Sequence, residues 1–412
     1  MAITLEEAIH RAQANESNYV SASAGNRISR LDRSIARNGL LPNAIYLNQY
    51  LYTQGSGVPT AGGSAQQTPR FIANNGVREY MSALSATETV GLAGVAGVRR
   101  ADAAAAMAEA ELEVARRGLV AAVSSLFYGS IAADHKLAVA ERARQESLDF
   151  SKLTGQLEDA REAAHADVVK AQLQQQQRQR ELQDAAVAAE KAHLELGVLL
   201  FPDPRSAYSL QADLAPPPLA PRADIEQAAA KNNPELRSAL ASLNVSNADV
   251  LAARAAYLPD LGLNVTYGID APQFAVNGPD GAHNLGYSAS ITLDIPVWDW
   301  FSTQHRVKQS EIRRDVAKVA LTATQRQLIA RLDEAYSEAA AARDQLVSLE
   351  TSVSTAGESL RLTKLRYNNG EATVLEVVDA QNSFLLAENA LEDGRVRYET
   401  ARADLQTLTG TM

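Results

Sequence analysis

In the last quarter of the chain, apolar positions recur in alternating steps of three and four. Leu321, Leu328, Leu332, Ala335, Ala339, Ala342, Leu346, Leu349, Val353, Ala356 and Leu360 form one stripe. After a break at Asn-Asn-Gly (368–370), Val377, Phe384, Leu391, Tyr398 and Leu405 recur every seven residues, and three places after each stand Ala380, Ala387, Gly394, Ala401 and Leu408. Bulky positions alternating with small ones suit knobs-into-holes packing, so the pattern predicts two long helices folded back on each other. A looser series, Leu112, Ala115, Leu119, Ala122 and Leu126, predicts the same in the first half. A helix of about 60 residues is about 90 Å long, which implies an elongated object.

Elsewhere the period changes to two. In Asp260–Ala271, Leu261, Leu263, Val265, Tyr267 and Ile269 alternate with Gly262, Asn264, Thr266 and Gly268. In Asn284–Trp298, Leu285, Tyr287, Ala289, Ile291, Leu293 and Ile295 alternate with small or polar residues. Noisier strands are predicted at about 43–53 and 76–90. A half-buried hairpin of a soluble domain alternates equally well. A length of about ten residues, with the flanking aromatics Tyr267, Trp298 and Trp300, favours strands that cross a membrane. Four strands cannot close a barrel, and lipid does not tolerate open edges. Several chains must then share one barrel, of about eight strands for a dimer or twelve for a trimer. A closed barrel continued by coiled coils is a conduit.

The chain is written twice. "LEEAIHRAQANE" from Leu5 echoes "IEQAAAKNNPE" from Ile225, and "LLPNAIYLNQYLY" from Leu40 echoes "YLPDLGLNVTYG" from Tyr257. "HADVVKAQLQ" from His165 echoes "VLEVVDAQNS" from Val374. The expected organisation is a first repeat over 1–200, a Pro-rich linker over 201–222, and a second repeat over 223–412. The second repeat holds strands at about 260–270 and 284–296 and a helical tip at 368–372. The fold class expected is α+β, with two strands and a long helical hairpin in each repeat.

Composition narrows the partners. The net charge of -10, with scattered Lys and Arg, leaves no electrostatic footprint for nucleic acid. No cysteine is present, so no disulfide, thiolate metal site or lipid-bearing cysteine is expected on this chain. No run of about 18 apolar residues predicts a transmembrane helix. The opening "MAITLEEAIHRA" reads as an amphipathic helix without a basic-then-apolar leader. The protein is then either cytoplasmic or lacks a signal peptide already removed, and the strands favour the second.

The run "LRYNNGEATVLEVVDAQNSFLLAENAL" and the strand-to-helix passage "PVWDWFSTQHRVKQSE" from Pro296 resemble the outer membrane efflux protein family, the TolC-like exit ducts. The resemblance extends over essentially the whole chain. It implies a homotrimer with a twelve-stranded barrel in outer-membrane lipid and an α-helical tunnel in the periplasm. It also implies docking to a periplasmic adaptor (membrane fusion) protein and to an inner-membrane RND or ABC transporter, with no cofactor and no enzymatic activity. The alternative is a non-channel coiled-coil scaffold or adaptor, although an adaptor would carry one helical hairpin rather than two.

The resemblance also assigns residues. Asn368, Asn369, Gly370 and Glu371 form the turn that an adaptor touches, with Gly370 suited to a left-handed conformation. Glu376 and Asp379, three apart on one helix face, match acidic positions that project into the lumen in some relatives. In a trimer they would form stacked carboxylate rings that attract cations; two acids at this spacing otherwise make an ordinary solvated face. Some relatives carry a basic residue where Ala372 stands. Matching the first tip to the second pairs Asp167 with Glu376 and Lys170 with Asp379, and puts Arg161 in the glycine's place. Lys170 or Arg161 then replaces the missing cation across the repeat or subunit boundary, and Tyr367 is placed in the same constriction network, although an aromatic at a helix end is more often packing.

The pairs Glu7/His10, Glu162/His165 and Glu190/His193 have the spacing used by di-iron bundles. The last two lie about 40 Å apart by helical rise, too far to share a metal. They read as ordinary surface Glu–His pairs, and no metal site is expected. The run "QLQQQQRQR" (Gln172–Arg180) reads as a hydrated helix face. No nucleophile elbow, P-loop or dinucleotide fingerprint is present.

Overall fold

Each half of the chain runs helix, helix, strand, strand, long helix, long helix in the computed structural model, which describes residues 2–52, 78–211, 219–279 and 281–410. The first half contains β1 (Ala2–Ile3), α1 (Leu5–Asn15), α2 (Ser17–Asn38), β2 (Asn43–Tyr52), β3 (Arg78–Val90), α3 (Leu92–Asp159) and α4 (His165–Leu200). The second contains β4 (Ser209–Leu210), α5 (Arg222–Asn232), α6 (Pro234–Ala255), β5 (Asp260–Ala271), β6 (Leu285–Asp294), α7 (Ser302–Asn368) and α8 (Val374–Thr409). Matching helices have near-identical lengths: 11 residues for α1 and α5, 22 for α2 and α6, 68 and 67 for α3 and α7, and 36 for α4 and α8. Of the expected strand ends, residues 53, 76 and 77 lie outside the described residues, as does the Gly/Ser-rich stretch 53–75.

The two compact units do not coincide with the two halves. One comprises residues 1–26, 108–239 and 321–412, and the other residues 27–107 and 240–320. Each takes chain from both halves, because α4 packs on α8 in the first and β3 pairs with β5 in the second.

The second unit carries an antiparallel sheet in the order β2-β3-β5-β6. The halves meet at β3–β5, where Ala83 pairs with Gly268 and Leu84 with Tyr267. Gly268 lets the strands approach there, since a Cβ would collide with Ser82 O and Ala83 Cα. Every residue of β2 and β6 is exposed, including Tyr46, Tyr50, Tyr287 and Ile291. Both strands lie at sheet edges with one outer side unpaired among the described residues.

The passage from β6 into α7 is unusual. Trp300 and Phe301 both adopt left-handed backbone, with φ of 56° and 63°. Bulky residues there cost about 1–3 kcal/mol each. Asp299 Oδ2 accepts from Thr303 N at 2.7 Å, and the Trp298 ring packs edge-on against Trp300 and Phe301, at 5.8 Å and 5.2 Å.

In the other unit, the heptad stripes of α7 and α8 face inward. Leu328, Leu332, Ala339, Ala342, Leu346 and Leu360 are buried, as are Val377, Leu391, Tyr398, Ala401 and Leu405. A Cβ on Gly394 would stand 2.5 Å from Leu349 Cδ1 and 3.3 Å from Leu346 Cδ2, so the glycine is the hole for two leucine knobs. The stripe expected in α3 is shifted. Ala122 is exposed, whereas Leu119, Val123, Phe127 and Ile131 form the buried row against Ile3, Ala8, Ala12, Leu196 and Leu200. This row packs against β1, the short α1 and the end of α4. The Pro-rich connection joins this packing: β4 pairs in parallel with β1, and Tyr208 stacks near His193 and Phe201.

Candidate functional site: the helical tips

The reversals α3–α4 and α7–α8 are built alike. At the second, Gly370 has φ of 75°; its N–H donates to Tyr367 O at 3.0 Å, and Glu371 N donates to Arg366 O at 2.8 Å. At the first, Arg161 has φ of 62°; its N–H donates to Glu158 O at 2.8 Å, and Glu162 N donates to Leu157 O at 2.7 Å. Both pairs of bonds are those of a Schellman motif, which satisfies the last carbonyls of a helix. Arg161 therefore occupies the left-handed position matched to Gly370, at a steric expense that glycine does not bear. Asn368, Asn369, Gly370, Glu371 and Arg161 are all exposed.

The helices leave these turns differently. Thr373 Oγ1 accepts from Glu376 N at 3.3 Å, and Glu376 Oε1 accepts from Thr373 N at 3.2 Å, a complete capping box. Arg366 adds to it, donating to Glu371 O at 3.0 Å and to Glu376 Oε2 at 3.3 Å. Ala164, at the start of α4, offers no side-chain cap. The Thr373 backbone and side-chain bonds, then Arg366, hold the Glu376 carboxyl below its ordinary value. A depressed carboxylate stabilises above its unfolded pKa and loses that contribution as pH falls through its folded value, so this cap persists at neutral pH and weakens in acid. Thr373→Ala is expected to cost about 1 kcal/mol of helix stability, read as faster amide exchange over the first turn of α8.

A buried cluster joins the tips. Phe150 of α3, Ala171 of α4, Tyr367 of α7 and Val374, Val377 and Val378 of α8 pack together. The Tyr367 ring lies 5.2 Å from Phe150, its hydroxyl is 3.4 Å from Thr154 Oγ1, and only 8% of the residue is exposed. Within this chain Tyr367 is taken up in packing, the alternative reading for an aromatic at a helix end. Glu376, Asp379 and Lys170 are exposed and Asp167 is half-buried, all within the first turns of α8 and α4.

The glutamine run is partly inverted relative to a hydrated face. Gln174 and Arg178 are buried while Leu173 is exposed. Arg178 pairs with Glu181 at 2.6 Å and also bonds Asn382 of α8. The histidine spacing also misled as to partners. His165 bonds Glu158 at 2.8 Å, His193 bonds Asp134 at 2.9 Å, and Glu7 pairs with Arg11 at 2.6 Å. No group of acids and histidines suited to a metal occurs among the described residues.

Thr373-x-x-Glu376 is a capping-box signature readable from sequence, and it gives Glu376 a structural role that the lumenal reading overlooked. Phe150 and Thr154 lie far from Tyr367 along the chain, and no local signal pairs them.

Paired helical hairpins attached to a four-stranded antiparallel sheet define the fold of TolC-like outer-membrane channels. The fold matches that of the Campylobacter jejuni CmeC outer membrane channel with a TM-score of 0.82 at 16% identity, over 98% of this chain and 85% of that one. Residues 225–411 match the family model of outer membrane efflux proteins. The second half of the chain is thus similar to that family, while the likeness of fold extends over nearly the whole chain. It is 27% identical to outer membrane protein OprJ of Pseudomonas aeruginosa over 175 residues, which is 42% of this chain and 36% of OprJ. It is 22% identical to the alkaline protease secretion protein AprF of the same species over 426 residues, covering 100% of this chain and 85% of AprF. The match thus spans about a third of OprJ but most of AprF.

Proposed function

We propose that the protein is the outer-membrane exit duct of a tripartite efflux or type I secretion system, a passive channel whose energy comes from its partners. The observation that carries this reading is the four-stranded sheet, with two edges unpaired among the described residues and fully exposed edge strands. Such a sheet is stable in lipid only when closed against copies of itself. Three copies would give a twelve-stranded barrel, each chain contributing two pseudo-repeats, with the helical hairpins lining a periplasmic tunnel. The relatives include an outer membrane protein and a protease secretion protein, which supports a role in export.

In this reading Asn368, Asn369, Gly370, Glu371 and Arg161 form the surface for a periplasmic adaptor, and an RND or ABC transporter completes the assembly. Glu376, Asp379, Asp167 and Lys170 line the narrow end. Lys170 stands in for the cation absent at Ala372. Lys170→Ala is expected to raise resting single-channel conductance about threefold, the effect of losing one exposed ion pair. An unchanged closed level would remove Lys170 from the constriction.

The reading itself is tested by the detergent-corrected mass and by planar-bilayer conductance. A trimer that conducts supports it. A monomer or dimer soluble without detergent would favour the scaffold.

A further inference from the structure

Three consecutive residues of α3 reach two different helices. Asp134 holds His193 of α4, with both carboxylate oxygens 2.9 Å from Nε2. His135 Nδ1 lies 3.0 Å from Glu392 Oε2 of α8. Lys136 Nζ donates to Asp393 Oδ1 at 2.5 Å, also on α8. All of these residues lie in one compact unit. The two histidine contacts become full ion pairs only when the imidazole carries its second proton.

Polar and charged groups from several elements face the two histidines. His193 is held from the linker side by Tyr208, whose ring is 5.0 Å away and whose hydroxyl donates to the His193 carbonyl at 2.7 Å. Burial, then the Asp134 charge, push the Tyr208 phenol up to about 12, so it stays neutral. Glu190 stands one turn earlier on α4. On the other side Glu392 is buried and also accepts from Arg395 Nη1 at 2.7 Å. The cavity beside it is lined by Tyr128 of α3, Glu350 of α7, and Arg395 and Glu399 of α8. Burial, opposed in part by Arg402, pushes the Glu399 carboxyl up.

We propose that this turn of α3 is a proton-operated clamp. Acid ties α3 to α4 through Asp134–His193 and to α8 through His135–Glu392, and alkaline pH loosens both contacts together. A charged donor roughly doubles the strength of such a hydrogen bond. Because the two pairs spring from adjacent residues, a single change of solvent pH acts on the packing within the first half and between the two halves.

The test is amide hydrogen exchange on the purified full-length protein at pH 5.5 and pH 8.0, corrected for intrinsic exchange. Residues 186–196 and 388–396 are expected to be about two- to fivefold better protected at the lower pH, the range for partly exposed ion pairs. His193→Gln should abolish the gain in α4 and spare α8, and His135→Gln should do the reverse. Should either glutamine variant not fold, Asp134→Asn must remove the α4 gain alone. A wild type without pH-dependent protection at these segments, or variants that keep the wild-type gain, would overturn the clamp.

Discussion

Arg117→Met is expected to destabilise the protein by about 2–4 kcal/mol. Arg117 is only 5% exposed, on α3. Its Nη1 donates to Asn232 O at 3.3 Å and to Thr407 O at 3.2 Å, and its Nε donates to Glu113 at 2.7 Å. Asn232 ends α5, and Thr407 lies in the last turn of α8. One guanidinium therefore serves the carbonyls of two helix C-termini, where the helix dipoles also favour positive charge. Methionine matches much of the volume but leaves both carbonyls without a charged donor. Glu113 keeps its neighbour Arg116, at 2.8 Å, so its own charge stays compensated. Arg117→Lys supplies charge without the fork and should recover only part of the loss. Denaturant unfolding of the three proteins checks this; equal midpoints would show that the node contributes nothing.

Gly268→Val is expected to disrupt the seam between the two halves of the sheet. A Cβ at this position would fall on Ser82 O and Ala83 Cα, and 2.6 Å from Ala83 Cβ. These are backbone atoms, or bonded directly to them, in the paired strand β3, so no flexible side chain can yield. The penalty is at the upper end of overpacking, about 3 kcal/mol, with loss of the β3–β5 register. Gly262→Ala is the control, because its Cβ would meet Thr292 at an ordinary 3.7 Å. Gly262→Ala should accumulate and unfold like the wild type, while Gly268→Val should fail to accumulate as a folded protein. Equal yields of folded protein would show that the strands can separate at Gly268.

Much of the architecture was legible because its signals are local and periodic. The α8 series Val377, Leu391, Tyr398 and Leu405 is buried, and the strands fall at Asp260–Ala271 and Leu285–Asp294. The second tip was equally readable, since Asn-Asn-Gly supplies the left-handed residue that its turn requires. Arg161 was placed by its match to Gly370, because arginine itself carries no local signal for a left-handed turn.

The sequence by itself determined the period, length and order of the elements, since helix and strand periodicities follow from backbone geometry and are written in contiguous residues. Tertiary structure decided which side chains meet. It buried Tyr367 against Phe150, turned Gln174 and Arg178 inward toward Asn382, and gave His193 to Asp134 rather than to Glu190. Each of these contacts joins residues of different helices. Their geometry depends on how far each helix is rotated and shifted along its neighbour, and no short stretch of sequence encodes that rotation.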